Sequence, residues 1–389
     1  LLDRMQAEGD FGLIEPMFFS TSDAFLPGPA PVFWLRLLGA ALVTVITALA
    51  IIANRRSLSR LMEERDDGRA VQASHSGNPL RLGGIAIFAG LAAGMLAGPW
   101  DNPVLPGLLI ASAVPAVLGG LWEDLGYGVS PRHRLAAAFV AAALAALLLG
   151  TWVTRANLPG LDQVMAVAPL GLLVTITVAA GFCHATNLVD GMNGLASVVI
   201  IAAAVGLAVL ANGAGQGDLV LLAALLGAAM VGFFVLNWPF GIVLMGDAGA
   251  YGIGHVLIWI AFLLAARVPG VAVPALVLIL FWPFADTLHS IARRVVGGEP
   301  VFAPDRMHLH QKVRRGIEIA WLGRNHRKLS NPLTTLVLAP MIVAPVIAGV
   351  VLAHDARAAW VALAVFAVLF TLTHVGITRL AIRLRHRSR

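Results

Sequence analysis

The stretch His184-Ala185-Thr186-Asn187-Leu188-Val189-Asp190-Gly191-Met192-Asn193-Gly194 decides how this chain is read. It separates two apolar runs, near 165–185 and 194–212, each close to the ~20 residues that cross a bilayer as a helix. Polar side chains at membrane depth are costly and point to function. Asn187 and Asp190 stand three apart, as do Asp190 and Asn193, so a helical turn puts them on one face. The glycines would let backbone approach a phosphate or a nucleobase closely. The same residues could also do no more than cap two successive helices.

The rest of the chain repeats this pattern. Of its 389 residues, 59% are hydrophobic and only 12% are charged, against about 25% charged in soluble domains. Mean hydropathy is +0.84. Apolar runs near 33–54, 82–99, 104–122, 134–152, 165–185, 194–212, 218–236, 249–267, 270–290, 332–353 and 358–379 predict an all-α polytopic membrane protein with about eleven transmembrane helices. Residues 33–389 then form one transmembrane domain. Its polar loops are 55–81, 123–134, 186–194, 237–249 and 290–331. Residues 1–32 mix acids, Pro and aromatics without helical pattern and read as a disordered or mis-started leader. Of the 27 Lys and Arg, 22 fall on one face of this arrangement. That face is expected to be cytoplasmic, with the N-terminus outside and the C-terminus inside. The net charge of +6 is therefore a membrane signature, and no nucleic-acid partner is expected. The single cysteine, Cys183, rules out an intramolecular disulfide.

Span counting puts the acidic clusters on that same basic face. Glu123-Asp124 ends the third apolar run, Asp247 opens the eighth between Gly246 and Gly249, and Asp305-Arg306-Met307-His308-Leu309-His310 follows the ninth. Adjacent carboxylates at 123 and 124 could bind a divalent cation, act as a base, or simply end a solvated helix. Asp247 could be a metal ligand or a helix cap. His308 and His310 lack a cysteine or third histidine for zinc; with Arg306 they suit phosphate and hydroxyl contacts. Arg132 and Arg134 read as a positive-inside loop. Asp286 reads as an internal ion pair with Arg293-Arg294. His75, His133, His255, His289, His326, His354 and His374 read as bland. There is no phosphate-binding P-loop, dinucleotide fingerprint, G-x-S-x-G or H-E-x-x-H pattern.

Asn187-Leu-Val-Asp190-Gly-Met-Asn193-Gly-Leu-Ala, Phe240-Gly-Ile-Val-Leu-Met-Gly-Asp247-Ala-Gly and Asp305-Arg-Met-His-Leu-His310 resemble motifs of the polyprenyl-phosphate N-acetylhexosamine-1-phosphate transferases, a membrane glycosyltransferase family 4. Pro79-Leu-Arg81-Leu-Gly83-Gly84 and Glu123-Asp124 fit in the same order, so the resemblance covers roughly 55 to 320. It implies transfer of a sugar 1-phosphate from a UDP-N-acetylhexosamine, such as UDP-N-acetylglucosamine, to polyprenyl (undecaprenyl) phosphate, with release of UMP. It implies Mg²⁺, or Mn²⁺ in its place, held by Asn187 and Asp247. Asp124 would orient or deprotonate the lipid phosphate with Glu123 in support, and Asp190 would organise the site. Asn193 would face the uracil. Arg306, His308 and His310 would meet the sugar or its phosphate, and Arg81 would join in substrate binding. Glu123, His184, Asn193 and Gln311 depart from the commonest pattern and look most like the branch that starts O-antigen or other surface polysaccharides. The implied setting is a bacterial inner membrane with the site on its cytoplasmic face; a homodimer is one arrangement open to such a protein. Two alternatives stand beside this reading. A secondary transporter would place ionisable groups near the bilayer midplane, and a non-catalytic scaffold of the same fold would have eroded metal ligands.

Overall fold

The computed structural model describes residues 30–61, 80–301, 305, 307–323 and 326–387. Arg306 and residues 62–79 of the first polar loop lie outside them, as does the leader up to residue 29. The described residues form helices α1 (Ala30–Ala53), α2 (Arg55–Leu61), α3 (Gly83–Leu96), α4 (Val104–Asp124), α5 (Pro131–Leu149), α6 (Leu161–Ala166), α7 (Ala168–Val189) and α8 (Leu195–Gly213). They continue as α9 (Gly217–Asn237), α10 (Gly246–Arg267), α11 (Val273–Ile279), α12 (Phe281–Val296), α13 (Leu309–Ile317), a π-helical turn (Glu318–Leu322), α14 (Arg327–Val351) and α15 (Ala356–Arg387). Among the described residues nine helices are long and apolar enough to cross a membrane, or ten if the bent pair α11 and α12 is one span.

Three details differ from the sequence expectation. α1 begins at Ala30, so residues 30–32 belong to a helix rather than to the leader; Pro31 suits a first turn, where its missing N–H costs nothing. The expected span 82–99 forms a helix of only 14 residues, about 21 Å long, against a hydrocarbon core of ~30 Å. The expected span 270–290 is bent by 85° between α11 and α12. Pro283 sits in the first turn of α12 and cannot donate a backbone bond to Ile279 across that junction.

Beyond the bend, α12 is turned inside out. Asp286, Ser290 and Arg294 are buried, whereas Leu288, Ile291 and Val295 are exposed. Such a helix keeps its polar stripe for the protein and offers its apolar stripe to lipid. The described residues of the expected loop 290–331 include the end of α12, all of α13 and the π-helical turn.

α10 is the central post, buried along nearly its whole length. It packs against α3, α4 and α7. A Cβ at Gly84 would lie 2.4 Å from the Gly249 Cα, and one at Gly120 would lie 2.4 Å from the Ala248 N. Only glycine permits those backbone approaches, the usual device for joining helices in lipid. The chain entering α3 is stitched to the chain entering α10 by main-chain bonds: Leu244 N–H to Leu80 O (2.9 Å), Gly83 N–H to Leu244 O (2.8 Å) and Gly84 N–H to Met245 O (2.7 Å). Arg81 is thereby fixed beside the first residues of α10.

Candidate active site

The site grows from the N-terminus of α10. A helix start leaves backbone N–H groups without partners. Here the Asp124 carboxylate, arriving from the end of α4, accepts the Asp247 N–H (2.9 Å) and the Ala248 N–H (2.8 Å). Both its oxygens are engaged, and Arg81 Nε lies 3.5 Å from Oδ1. Asp124 therefore holds the helix that carries Asp247. Glu123, half-buried, stands beside it at the same helix end.

Asp247 is 1% exposed, yet more charge meets it than a cap requires. Arg81 Nη2 approaches its Oδ1 at 2.8 Å. Asn187 Nδ2 donates to the same oxygen at 2.9 Å. The guanidinium of Arg134, from the first turn of α5, contacts Oδ2. Ser130 starts α5 by accepting the His133 N–H (3.4 Å), ahead of Pro131, which aims Arg134 inward. Arg134 was read from sequence as one of a pair of loop charges; its contact with Asp247, 113 positions away, had no local signal.

Asp190 ends α7 and faces the N–H of Gly246, whose φ is +77°. A Cβ at Gly246 would also strike Arg81 O at 2.1 Å. Burial pushes the Asp190 carboxyl up to about 7, opposed by the Arg81 charge and the Gly246 N–H. His184, one turn above Asn187, pairs with the Tyr251 hydroxyl at 2.6 Å. Thus Asp124, Asn187, Asp190, Asp247 and Arg81 come together at the start of α10.

Asn193 has backbone and side-chain partners within the protein. Its N–H donates to Asn331 Oδ1 (2.7 Å), its carbonyl accepts from Thr335 Oγ1 (2.7 Å), and its Nδ2 donates to Pro239 O (2.7 Å). It is 6% exposed and ties the turn after α7 to α14 and to the loop after α9. Asn237 assists: its Oδ1 accepts the Gly194 N–H (2.6 Å) and its Nδ2 donates to Val243 O (2.8 Å).

The histidine segment packs against this centre. A Cβ at Gly191 would lie 2.8 Å from His310 Nε2, so the ring of His310 abuts the turn carrying Asp190. The rings of His308 and His310 run parallel, 5.6 Å apart. Asp286 holds both from behind: its Oδ2 is 3.0 Å from His308 Nδ1 and 3.7 Å from His310 Nδ1, and its Oδ1 accepts the Leu309 N–H at 3.2 Å. The expected pair between Asp286 and Arg293-Arg294 is not formed. Those arginines turn to Asp305, with Arg293 Nη2 at 2.5 Å and Arg294 Nε at 3.7 Å. Two buried carboxylates therefore have separate cations. Burial would lower His308, but Asp286 and then Asp305 raise it above the ordinary imidazole value. Burial holds His310 down to about 4, against the pull of Asp286. One ring is thus poised to be a cation and its neighbour a neutral donor–acceptor.

The oxygen groups suit a hard cation. Mg²⁺ needs one or two carboxylates and takes other ligands from water and substrate phosphate. Among the described residues no three His, Cys, Asp or Glu side chains are gathered to cage a metal on their own. Buried Asp247, with the Asn187 amide beside it, fits an ion of that kind.

Comparison with known proteins agrees with this geometry. The model of glycosyl transferase family 4 matches residues 106–265. The decaprenyl-phosphate N-acetylglucosaminephosphotransferase of Mycobacterium leprae is 24% identical over 322 residues, covering 75% of this chain and 78% of the relative. The undecaprenyl-phosphate alpha-N-acetylglucosaminyl 1-phosphate transferase of Yersinia pestis is 28% identical over 256 residues, or 62% and 67% of the two chains. The phospho-N-acetylmuramoyl-pentapeptide-transferase of Ruegeria pomeroyi is 31% identical over 235 residues, or 52% and 64%. The helices that carry these buried carboxylates lie largely within the matched segment, so residues 106–265 are similar to glycosyl transferase family 4.

Proposed function

We propose that this protein transfers an N-acetylhexosamine 1-phosphate from a UDP-sugar to polyprenyl phosphate, undecaprenyl phosphate in a bacterial inner membrane, and releases UMP. The observation that carries this reading is the meeting of Asp247, Asn187, Asp190, Arg81 and Arg134 at one end of an apolar helix bundle. The names of the relatives point the same way. The product would open synthesis of a surface polysaccharide, O-antigen or a related cell-wall glycan. The working end faces the cytoplasm, in keeping with the crowding of Lys and Arg there.

Phosphoryl transfer asks a protein mainly for positioning and neutralisation of charge. An oxygen of the lipid phosphate attacks the β-phosphorus of the UDP-sugar. A new P–O bond forms there, the bond from that phosphorus to the bridging oxygen breaks, and UMP leaves with the oxygen. A phosphate monoester has a second pKa of about 6, so the nucleophile brings most of its own charge. Asp247 and Asn187 would hold Mg²⁺, which supplies positive charge to the diphosphate when bound. Arg81 and Arg134, now on Asp247, are within reach of the same oxygens. Asp124 positions Asp247 by capping α10, leaving Glu123 to meet the lipid phosphate. Asp190 orders the backbone of Gly246. His308 offers a cation and His310 a neutral ring to the sugar 1-phosphate, with Arg306 two positions ahead of His308 in sequence.

The test is an exchange assay on membranes containing the full chain, with undecaprenyl phosphate, Mg²⁺ and a panel of UDP-N-acetylhexosamines. Release of UMP together with lipid-linked sugar is the expected result, and the donor that works identifies the hexosamine. Normal insertion of the protein with no UMP from any donor would overturn the reading.

A further inference from the structure

The last helix crosses the protein outside the residues that match the family, yet it reaches the histidine segment. His374 of α15 is 3% exposed. Its Nε2 lies 2.8 Å from the carbonyl of Met307, the residue before His308. Its Nδ1 lies 2.9 Å from Lys312 Nζ, two residues beyond His310. Lys312 also donates to Thr378 Oγ1 at 2.8 Å, one turn further along α15. The two contacts fix the tautomer. A carbonyl can only accept, so Nε2 carries the proton, and Nδ1 is left to accept from the ammonium. Burial and then Arg293 lower Lys312 to about 8, which leaves it largely charged at pH 7. The ring of His289 covers that of His374 at 4.0 Å between centroids. His308 and His310 are therefore bracketed: a bond from α15 grips the chain immediately before them and a second grips it just after.

We propose that His374 is a positioning residue which, through Met307 and Lys312, latches α15 to the 307–312 segment and sets where His308 and His310 meet the substrate. The geometry of the latch stands on the contacts above; its effect on turnover rests on the transferase reading. The bracket works as two fixed points on a short chain. Leu309 N–H is already held by Asp286 from α12, so α12 and α15 grip the segment from two sides. Loss of the α15 side would leave the histidines held from the Asp286 side alone.

The experiment uses the full chain in lipid nanodiscs and three variants: His374→Phe, His374→Gln and Lys312→Met. Phenylalanine keeps a ring against His289 but removes both hydrogen bonds, and glutamine keeps an N–H for Met307. Hydrogen exchange of the 307–312 amides is measured first, with α10 as internal reference. We expect His374→Phe and Lys312→Met to speed exchange in 307–312 and leave α10 unchanged, with His374→Gln close to wild type. KM for the UDP-sugar should rise about tenfold in His374→Phe, the equivalent of one hydrogen bond to a charged or fixed group, while kcat changes much less; glutamine should restore most of the KM. Unchanged exchange in the phenylalanine variant overturns the latch. Faster exchange with wild-type KM overturns its role in positioning. If wild-type protein turned over no donor, the transferase reading alone would fall, and the exchange measurement would still decide whether α15 holds the segment.

Discussion

The two ends of α10 are finished by opposite charges, and they are not equivalent. At its C-terminus Arg155 donates to the carbonyls of Ala265, Val268, Pro269 and Val271 at 2.8 to 3.2 Å. At its N-terminus Asp124 accepts two amides. Each group satisfies backbone left over by the helix and opposes the helix dipole with the right sign. Arg36 does the same at the end of α3, donating to Gly94 O, Met95 O and Pro99 O while lying 4.8 Å over the Trp100 ring. Capping thus accounts for Arg36, Arg155 and Asp124. It does not account for Asp247, Arg81 and Arg134, a further carboxylate and two further cations at one end alone. That surplus beyond what a helix end requires is what the proposed transfer reaction would use.

The comparison breaks most sharply at Asp247. Asp247→Asn should lower turnover about a thousandfold, the scale set by losing one preorganised electrostatic group. Asp124 still caps α10 in that variant, so its thermal midpoint should stay near wild type. Near-normal UMP release would place Asp247 with the caps. Chelation by EDTA should likewise stop the reaction, and added Mg²⁺ or Mn²⁺ should restore it, read in the same assay; indifference to chelator would remove the cation from the site.

A smaller effect follows from Asp190. Its carboxyl is raised to about 7 by burial, so it gains a proton as pH falls through neutrality. If the carboxylate form is needed, kcat/KM falls below about pH 7, and a bound cation moves that limb to lower pH. In Asp190→Asn the limb should vanish. A limb that persists there belongs to another group.

The far end should behave in the opposite way. Arg155→Met leaves several carbonyls without donors and should cost about 1–3 kcal/mol, seen as a lower thermal midpoint in lipid. Turnover per folded molecule should be unchanged, and a selective loss of turnover would join the two ends into one functional unit. The mildest change sharpens the role of Asn193. Its amide nitrogen faces Pro239 O, so Asn193→Asp puts a carboxylate against a carbonyl and should cost about 1 kcal/mol. The resemblance by itself suggests an acid would be accepted there, and a wild-type midpoint with wild-type turnover would favour it.

Much of the site was legible because its residues break an otherwise apolar pattern. Asn187, Asp190 and Asp247 interrupt long hydrophobic runs, and counting those runs put them at one end. Arg134 was not legible, because a basic loop residue of a membrane protein has a sufficient explanation in topology. Asp286 was read along its own helix, where Arg293 and Arg294 are near in sequence. The structure gives it to His308 instead, 22 positions away. His374 carried no signal at all: one histidine in an apolar helix is ordinary until Met307 and Lys312 are placed against it.

Class, most of the span positions and the end at which polar groups gather follow from the sequence alone, because hydrophobic burial in a bilayer is decided by composition over some twenty residues at a time. The 85° turn between α11 and α12 and the division of labour among the carboxylates were decided by tertiary structure. Whether Asp124 caps a helix while Asp247 gathers cations depends on which lone pairs lie within about 3 Å of an N–H. Those partners are more than a hundred positions apart, joined only when α4, α5 and α10 pack together.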